Sequence, residues 1–364
     1  MSVMAELYKS IDQVDPGEWD QLVAGQPFAD WHWFQITEAL SVDYQPRYLL
    51  LKENGQLKMG AVCYIQNRFH SRRLQSLIGW FPRRFPTLRC DAPIHLDTGL
   101  FFSDSGRFNE LFPELLRSMQ TLLLKREHIS FYSFDHLLPT SPTWAFLQAK
   151  NYHRIKHVGA EINLKIHWSS FEDYLKDLSK PEYEEYLRTK TELEAQSILI
   201  EAADSSSENL DASQRLQTDF NRHVHGPKLY HPDLYPRTSK LMGKDFKLVV
   251  ARHDGQVIGC IAMLRNQDHW LVKWLGLDLT FLPAEMEIYY GLLAECVRQA
   301  ILAGGCQIRL GASVPPTIQN FGGRLERRIG AMSIRNRPLH WLAGRVLGFT
   351  ANPEPEIELP AKNG

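Results

Sequence analysis

Cysteine is scarce here: five residues among 364 (Cys63, Cys90, Cys260, Cys296, Cys306), odd in number and scattered, with no C-x-x-C pair. That excludes a disulfide framework and an ordinary thiolate metal centre, and the mostly apolar surroundings predict buried, reduced thiols. An excess of one charge is also missing, since 41 Lys and Arg face 42 Asp and Glu for a net charge of -1. No global field therefore steers the chain toward nucleic acid or an anionic membrane. No apolar run reaches the roughly 18 residues a membrane span needs, and the stretch from Met1 to Trp19 lacks the basic start and apolar core of an export signal. The expectation is a cytoplasmic chain with no membrane span. With 44% hydrophobic and 23% charged residues the composition is that of a folded protein, and the length suits two domains.

What is present is a repeat. The segment from Tyr48 to His70 and that from Leu248 to Trp270 align almost without gaps. Each has a β-rich run, a tight turn (Asn54-Gly55 or Asp254-Gly255), a Gln, and a second apolar run containing Gly60 or Gly259. Asn-Gly and Asp-Gly between apolar runs predict hairpins, because both central residues can take positive φ. The flanks repeat too. Asp15, Pro16 and Glu18 open a helix before the first hairpin, followed by a helical stretch from Trp31 to Leu40, and Ser169-Ser170 with Glu172 open one before the second.

After each hairpin the pattern predicts a third strand, a long amphipathic helix and another strand. These fall at residues 75–80, 108–125 and 129–134 in the first half, and at 270–277, 284–303 and 307–310 in the second, with Gly304-Gly305 as the helix stop. A strand, helix, strand crossover implies a parallel pair in a sheet that begins as hairpins. The fold class read from this is α+β, with two tandem modules, each a mixed, mostly antiparallel sheet flanked by helices. Residues 1–160 would form the first, 161–348 the second, and 349–364, rich in Pro and Glu, a disordered tail.

The duplicated order resembles the tandem GNAT proteins, the Fem-type aminoacyltransferases and the related acetyltransferase-like group. Residues 288–332 carry the closest likeness: paired Tyr289-Tyr290, Gly304-Gly305, Leu310-Gly311 and Gly322, with Arg335-Asn336-Arg337 beyond and Gln319 where the group has Lys. The resemblance implies acyl transfer to an amine, with the active site in the second module. It departs in one respect. Ordinary GNAT enzymes hold the coenzyme A pyrophosphate on a glycine-rich turn, whereas residues 280–290 (TFLPAEMEIYY) supply no glycine and place Glu285 and Glu287 where a phosphate would be repelled.

Acyl transfer needs a free amine, a donor polarising the carbonyl, and an acid for the leaving group. By position the resemblance gives the polarising backbone to Leu275, Gly276 and Leu277. Asp278 beyond them is either an amine base or a turn cap. Tyr290 and Ser313 are further catalytic candidates, set against aromatic packing and a plain turn. Tyr289, Gln319 and Arg324 are candidates for donor binding, and His223, His225, Tyr230 and Trp274 for the acceptor. Two histidines at i, i+2 do not share a helix face, so no zinc pair and no metal site is expected.

No permanently bound cofactor is expected, with acyl-CoA or acyl-carrier phosphopantetheine as co-substrate and an amino acid, peptide or small metabolite as amine, a fatty acyl group among the options. Two arginine-rich stretches, Arg68 to Arg89 and Arg324 to Arg345, are interleaved with aromatics and suit an acidic carrier or tRNA; otherwise they are solvated faces. Aminoacyl transfer from tRNA is the second reading, a catalytically inactive binding module the third.

Overall fold

The computed structural model describes residues 3–42, 45–67, 80–92, 94–223, 230–281, 285–311 and 321–349. Its first half runs β1 (Val3–Tyr8), α1 (Pro16–Leu22), α2 (Trp31–Leu40), β2 (Pro46–Glu53), β3 (Gln56–Gln66), α3 (Trp80–Arg84), β4 (Thr87–Cys90), β5 (Leu100–Phe102), α4 (Phe108–Met119), β6 (Phe131–Leu137), α5 (Pro142–Ala149) and β7 (His153–Lys165). The second runs α6 (Phe171–Asp177), α7 (Lys180–Ala195), β8 (Ile198–Ala203), α8 (Ser207–His223), α9 (Leu234–Met242), β9 (Phe246–His253), β10 (Gln256–Asn266), β11 (His269–Leu277), α10 (Glu285–Leu302), β12 (Gln307–Arg309), β13 (Arg324–Ile334) and α11 (Arg337–Phe349).

Local chemistry explains the element ends. The Asp15 carboxylate accepts from Glu18 N at 2.8 Å, with Pro16 at the first turn of α1. Ser170 caps α6 through Asp173 N at 3.1 Å. Both hairpin turns are left-handed at their two central residues, Asn54 and Gly55 at φ 51° and 80°, Asp254 and Gly255 at 48° and 77°. One expectation fails: Trp80 opens the short helix α3, and the third strand of the first half is Thr87–Cys90 rather than residues 75–80, of which 75–79 lie outside the described residues. Four cysteines are buried as expected, but Cys306 is exposed.

The two modules form one sheet in the order β1-β2-β3-β4-β6-β13-β7-β12-β11-β10-β9-β8, with β5 on β3. The parallel pairs are β4 with β6 and β11 with β12, one per half, as the crossovers require. The centre of the sheet is an exchange. β13, from the second half, lies antiparallel between β6 and β7. β7, from the first half, lies between β13 and β12. The boundary expected between residues 160 and 161 falls inside β7.

Helices cover both faces. On one, α4 and α5 pack over the first half around Phe112 and Phe134, while α6, α7 and α10 pack over the second around Tyr174 and Leu292. On the other, α1 lies over the first half around Trp19, and α2 reaches across so that Trp33, Ile36 and Leu40 share an apolar cluster with Leu210, Leu234 and Tyr235 of α8 and α9.

Gly276 is where α8 meets β11 most closely, since a Cβ there would sit 2.5 Å from Gln217 N and 2.8 Å from Cys260 Sγ. Gly276→Ala should therefore cost about 1–3 kcal/mol by overpacking. The measurement is the urea midpoint, and an unchanged midpoint would refute the close approach.

Candidate functional site

The second face carries a belt of polar side chains, one from each of seven successive strands: Tyr64 (β3), Arg89 (β4), Asp135 (β6), Arg328 (β13), Glu161 (β7), Arg309 (β12) and Lys273 (β11). Most of their strand neighbours point the other way into apolar cores, as period-two alternation requires, whereas His136 and Trp274, at left-handed positions, stay on the belt's face. Burying charge is costly unless it is paired, and the three arginines of the belt are paired. Arg89 Nε donates to Asp135 at 2.6 Å and its Nη2 to Asp91 at 3.1 Å. Arg309 donates from Nε to the fully buried Glu161 at 2.6 Å, and from Nη1 and Nη2 to Asp97 at 2.6 and 3.1 Å. Arg328 reaches Glu326 at 2.9 Å and Asp97 at 3.5 Å.

Each half contains a fork where its parallel strands part: β4 and β6 beyond Cys90 and Phe134, β11 and β12 beyond Leu271 and Arg309. Two residues past the last pair, both copies turn into the left-handed region, at His136 (φ 59°) and at Gly311 (φ 83°). Glycine adopts that conformation freely; a residue with a side chain does so less often, histidine more readily than most. The first copy thus places an imidazole where the second has a glycine.

At the first fork lies a cavity of about 300 Å³, walled by Gln26, Pro27 and Ala29, the loop from His95 to Leu100, His136 to Leu138, Ser141, Thr143, and Arg328 from the second half. Three lining side chains each have a buried polar atom with no hydrogen-bond partner among the described residues: Thr98 Oγ1, His136 Nδ1 and Arg328 Nε. An orphaned buried polar atom costs about 1–3 kcal/mol, so this grouping marks a place where a ligand or water completes the structure.

His95 Nδ1 accepts from Trp33 Nε1 at 3.3 Å, which leaves the proton on Nε2, 4.0 Å from Asp97. His136 Nε2 faces Asp91 at 3.6 Å, which favours its proton there and leaves the Nδ1 lone pair free. Burial, reinforced by nearby cations, pushes both imidazoles down to about 3, so both are neutral at physiological pH. Burial pushes Asp91 up to about 7, with Arg89 pulling down and Asp135 pushing up. Burial likewise lowers the Lys273 amine to about 8 against the attraction of Glu161. Although burial opposes it, Arg309 holds the Asp97 carboxyl well below the usual range.

These shifts predict a pH dependence of stability. The two histidines titrate near 6.5 when unfolded and near 3 when folded, so their contribution is complete above about 6.5 and is lost as pH falls. Asp91 is opposite: its folded value near 7 exceeds an unfolded value near 4, so its contribution is lost as pH rises through that window. Between about pH 4 and 6.5 two protons are taken up on unfolding and one released, so stability should fall by about 1.4 kcal/mol per unit of acidification. His95→Gln combined with His136→Asn should reverse the slope in urea titrations across that range; an unchanged slope would assign it elsewhere.

The residues singled out in the sequence are placed as follows. Asp278 takes the turn role: its Oδ1 accepts from Thr280 N at 2.9 Å and Thr280 Oγ1 at 2.7 Å. Gly276 is explained by α8, and Leu277 pairs with Gly259 while Leu275 packs on the apolar core. Tyr289 and Tyr290 are buried; burial pushes the former up to about 12, and Tyr290 stacks on Phe321 at 4.5 Å. Tyr290 also borders a second cavity of about 410 Å³ on the opposite face of the sheet, between α7, β8 and α10.

Arg324 and His223 are exposed at element ends. Tyr230 and Trp274 do come together, ring edge to ring face at 5.4 Å, with Tyr235 Oη donating to Trp274 O. His225, Ser313 and Gln319 lie outside the described residues, as do Arg68, Arg72 and Arg73. Arg89 and Arg328 are tied into the belt by ion pairs. Among the described residues Asp268, His269 and Cys306 are the one trio whose ligand atoms lie within 4.8 Å of one another, at the surface.

Sequence reasoning missed the belt and the first fork. The available signal was a lone charge inside each apolar strand, as in TLRC, SFDHL, AEINL, QIRL and LVKWL.

No family model and no curated protein matches the sequence. Solved structures do match the fold. FemX superposes with a TM-score of 0.60 at 9% identity, over 94% of this chain and 100% of that one. A tandem GNAT protein from the clavulanic acid biosynthesis pathway gives 0.57 at 12%, over 92% and 99%. A C-terminal domain described as that of a lysylphosphatidylglycerol synthetase from Agrobacterium fabrum gives 0.55 at 13%, over 92% and 95%. At such identities the likeness establishes architecture: the chain has the tandem GNAT fold, and the class expected from the repeat holds.

Proposed function

We propose that this chain transfers an acyl or aminoacyl group to a primary amine seated in the cavity of the first fork. The observation that carries the reading is His136, a neutral imidazole at a left-handed position, lining a cavity that both halves build, with Asp91 behind it. The amine nitrogen attacks the donor carbonyl carbon, forming the C–N bond as the donor's C–S or C–O bond breaks. His136 Nδ1 takes the proton that the nitrogen loses and passes it to the leaving thiolate or alkoxide, which departs as the thiol or hydroxyl. The ionised Asp91 favours the imidazolium formed in between. Arg328 Nε–H, which lacks a protein partner, is the group suited to the developing oxyanion.

For the donor we favour acyl-CoA or acyl-carrier phosphopantetheine, with a fatty acyl group among the options, and for the acceptor an amino acid, peptide or small metabolite. Aminoacyl-tRNA, the donor implied by the sequence resemblance to Fem-type aminoacyltransferases, is the alternative. Mass spectrometry of an amine panel incubated with each donor tests the reading. The expected result is a mass gain equal to one acyl group, and no gain with any donor would overturn it.

A further inference from the structure

At the other end of the same strands, away from the cavity, basic and apolar groups gather around one paired acid. Thr87 of β4 lies beside Phe131 of β6, which lies beside Ile334 of β13, so the segments leading into or out of these residues share one edge. They bring exposed Trp80, Arg83 and Arg84 from α3, exposed Lys125 and Arg126 from the turn before β6, and Arg335 at the head of α11. Arg335 fastens that head down, its N donating to Ser130 O at 2.8 Å and its Nη1 to Leu124 O at 3.2 Å. The acid in this turn, Glu127, is already held by Arg47 at 2.5 and 2.6 Å. Residues 80–90 and 327–349 contain no acid.

The orientation of α11 is fixed by its inner face. The His340 and His153 rings stack at 4.0 Å, His340 Nδ1 accepts from Ile334 N at 3.2 Å, and a Cβ on Gly344 would come within 2.6 Å of His153. At about 100° per residue the outer face then presents Leu339, Trp341, Leu342 and Arg345. The three apolar side chains are 49%, 59% and 51% exposed, and Trp80 is 63% exposed. Arg345 lies over the Trp341 ring at 4.1 Å. A soluble helix ordinarily turns its apolar face inward; this one is pinned with that face outward.

We infer that this edge docks on an anionic lipid surface, with Leu339, Trp341, Leu342 and Trp80 entering the headgroup boundary and the arginines and lysines meeting lipid phosphates. Charge complementarity selects this occupant. An isologous contact with a second copy would bring this basic patch against the same basic patch. A nucleic acid would use the arginines but leave Leu339 and Leu342 in water. The inference does not depend on the transferase reading, because no residue of the cavity takes part.

Co-sedimentation of the full chain with vesicles of phosphatidylcholine, with and without phosphatidylglycerol, tests it. The protein should pellet with the anionic vesicles, stay in solution with neutral ones, and release at high salt. The variant combining Leu339→Ala, Trp341→Ala and Leu342→Ala should bind at least about tenfold more weakly with an unchanged circular dichroism spectrum, since all three side chains are exposed. Three outcomes would overturn the inference: no vesicle binding, a dimer in light scattering that the triple variant dissociates in place of vesicle binding, or binding of RNA in place of vesicles.

Discussion

His136→Asn is expected to slow acyl transfer by about 10²–10⁴-fold, the range general base catalysis contributes. Asparagine is the informative replacement because it tolerates a left-handed backbone, and His136 sits at φ 59°. The fold should therefore survive, and the loss should lie in kcat. The pH profile separates a catalytic role from a structural one. Burial holds the imidazole near 3, so it is a weak base that depends on the ionised Asp91 beside it, and its own protonation does not limit the rate near neutrality. Asp91, raised to about 7, does: below that value its carboxyl is protonated and gives no support to an imidazolium. The wild-type rate should rise through pH 7 to a plateau, and Asp91→Asn should remove the rising limb and lower the plateau. A profile identical in Asp91→Asn and wild type, or a His136→Asn variant of full activity, would remove the dyad from the mechanism.

Arg309→Met is expected to destabilise the protein by about 3–5 kcal/mol, the cost of leaving buried charges without their partner. Arg309 is 4% exposed, and its guanidinium is divided between the first-half residues Asp97 and Glu161, of which Glu161 has no exposure. Removing it takes the ion pair from the fully buried Glu161 and leaves Asp97 with only the 3.5 Å contact to Arg328. Adding Glu161→Gln should recover a large part of the loss, because the neutral amide costs far less to bury unpaired than a carboxylate does. Urea unfolding of the single and double variants decides this. Strictly additive losses would mean that the pair contributes nothing as a pair.

Much of the scaffold was legible in the chain. The Asn54-Gly55 and Asp254-Gly255 turns, the helix from Trp31 to Leu40 and the parallel pair in each half were all expected and all present. These features depend on local rules: turn φ values, side-chain caps and apolar periodicity act over a few residues. The candidate site was less legible. The resemblance directed attention to the second fork, where Asp278 caps a turn and Gly276 makes room for a helix. The polar cavity lies at the first fork, with Arg328 arriving from the other half of the chain.

The sequence by itself determined the repeat, the mixed sheet and the lone charges inside apolar strands, since each follows from spacing along the backbone. Only the tertiary structure decided which charges meet. Arg309 and Asp97 are 212 positions apart and are joined because β7 and β13 exchange places at the centre of one sheet. A pairing of that separation is selected by the cost of leaving each charge buried alone, and no local pattern encodes it.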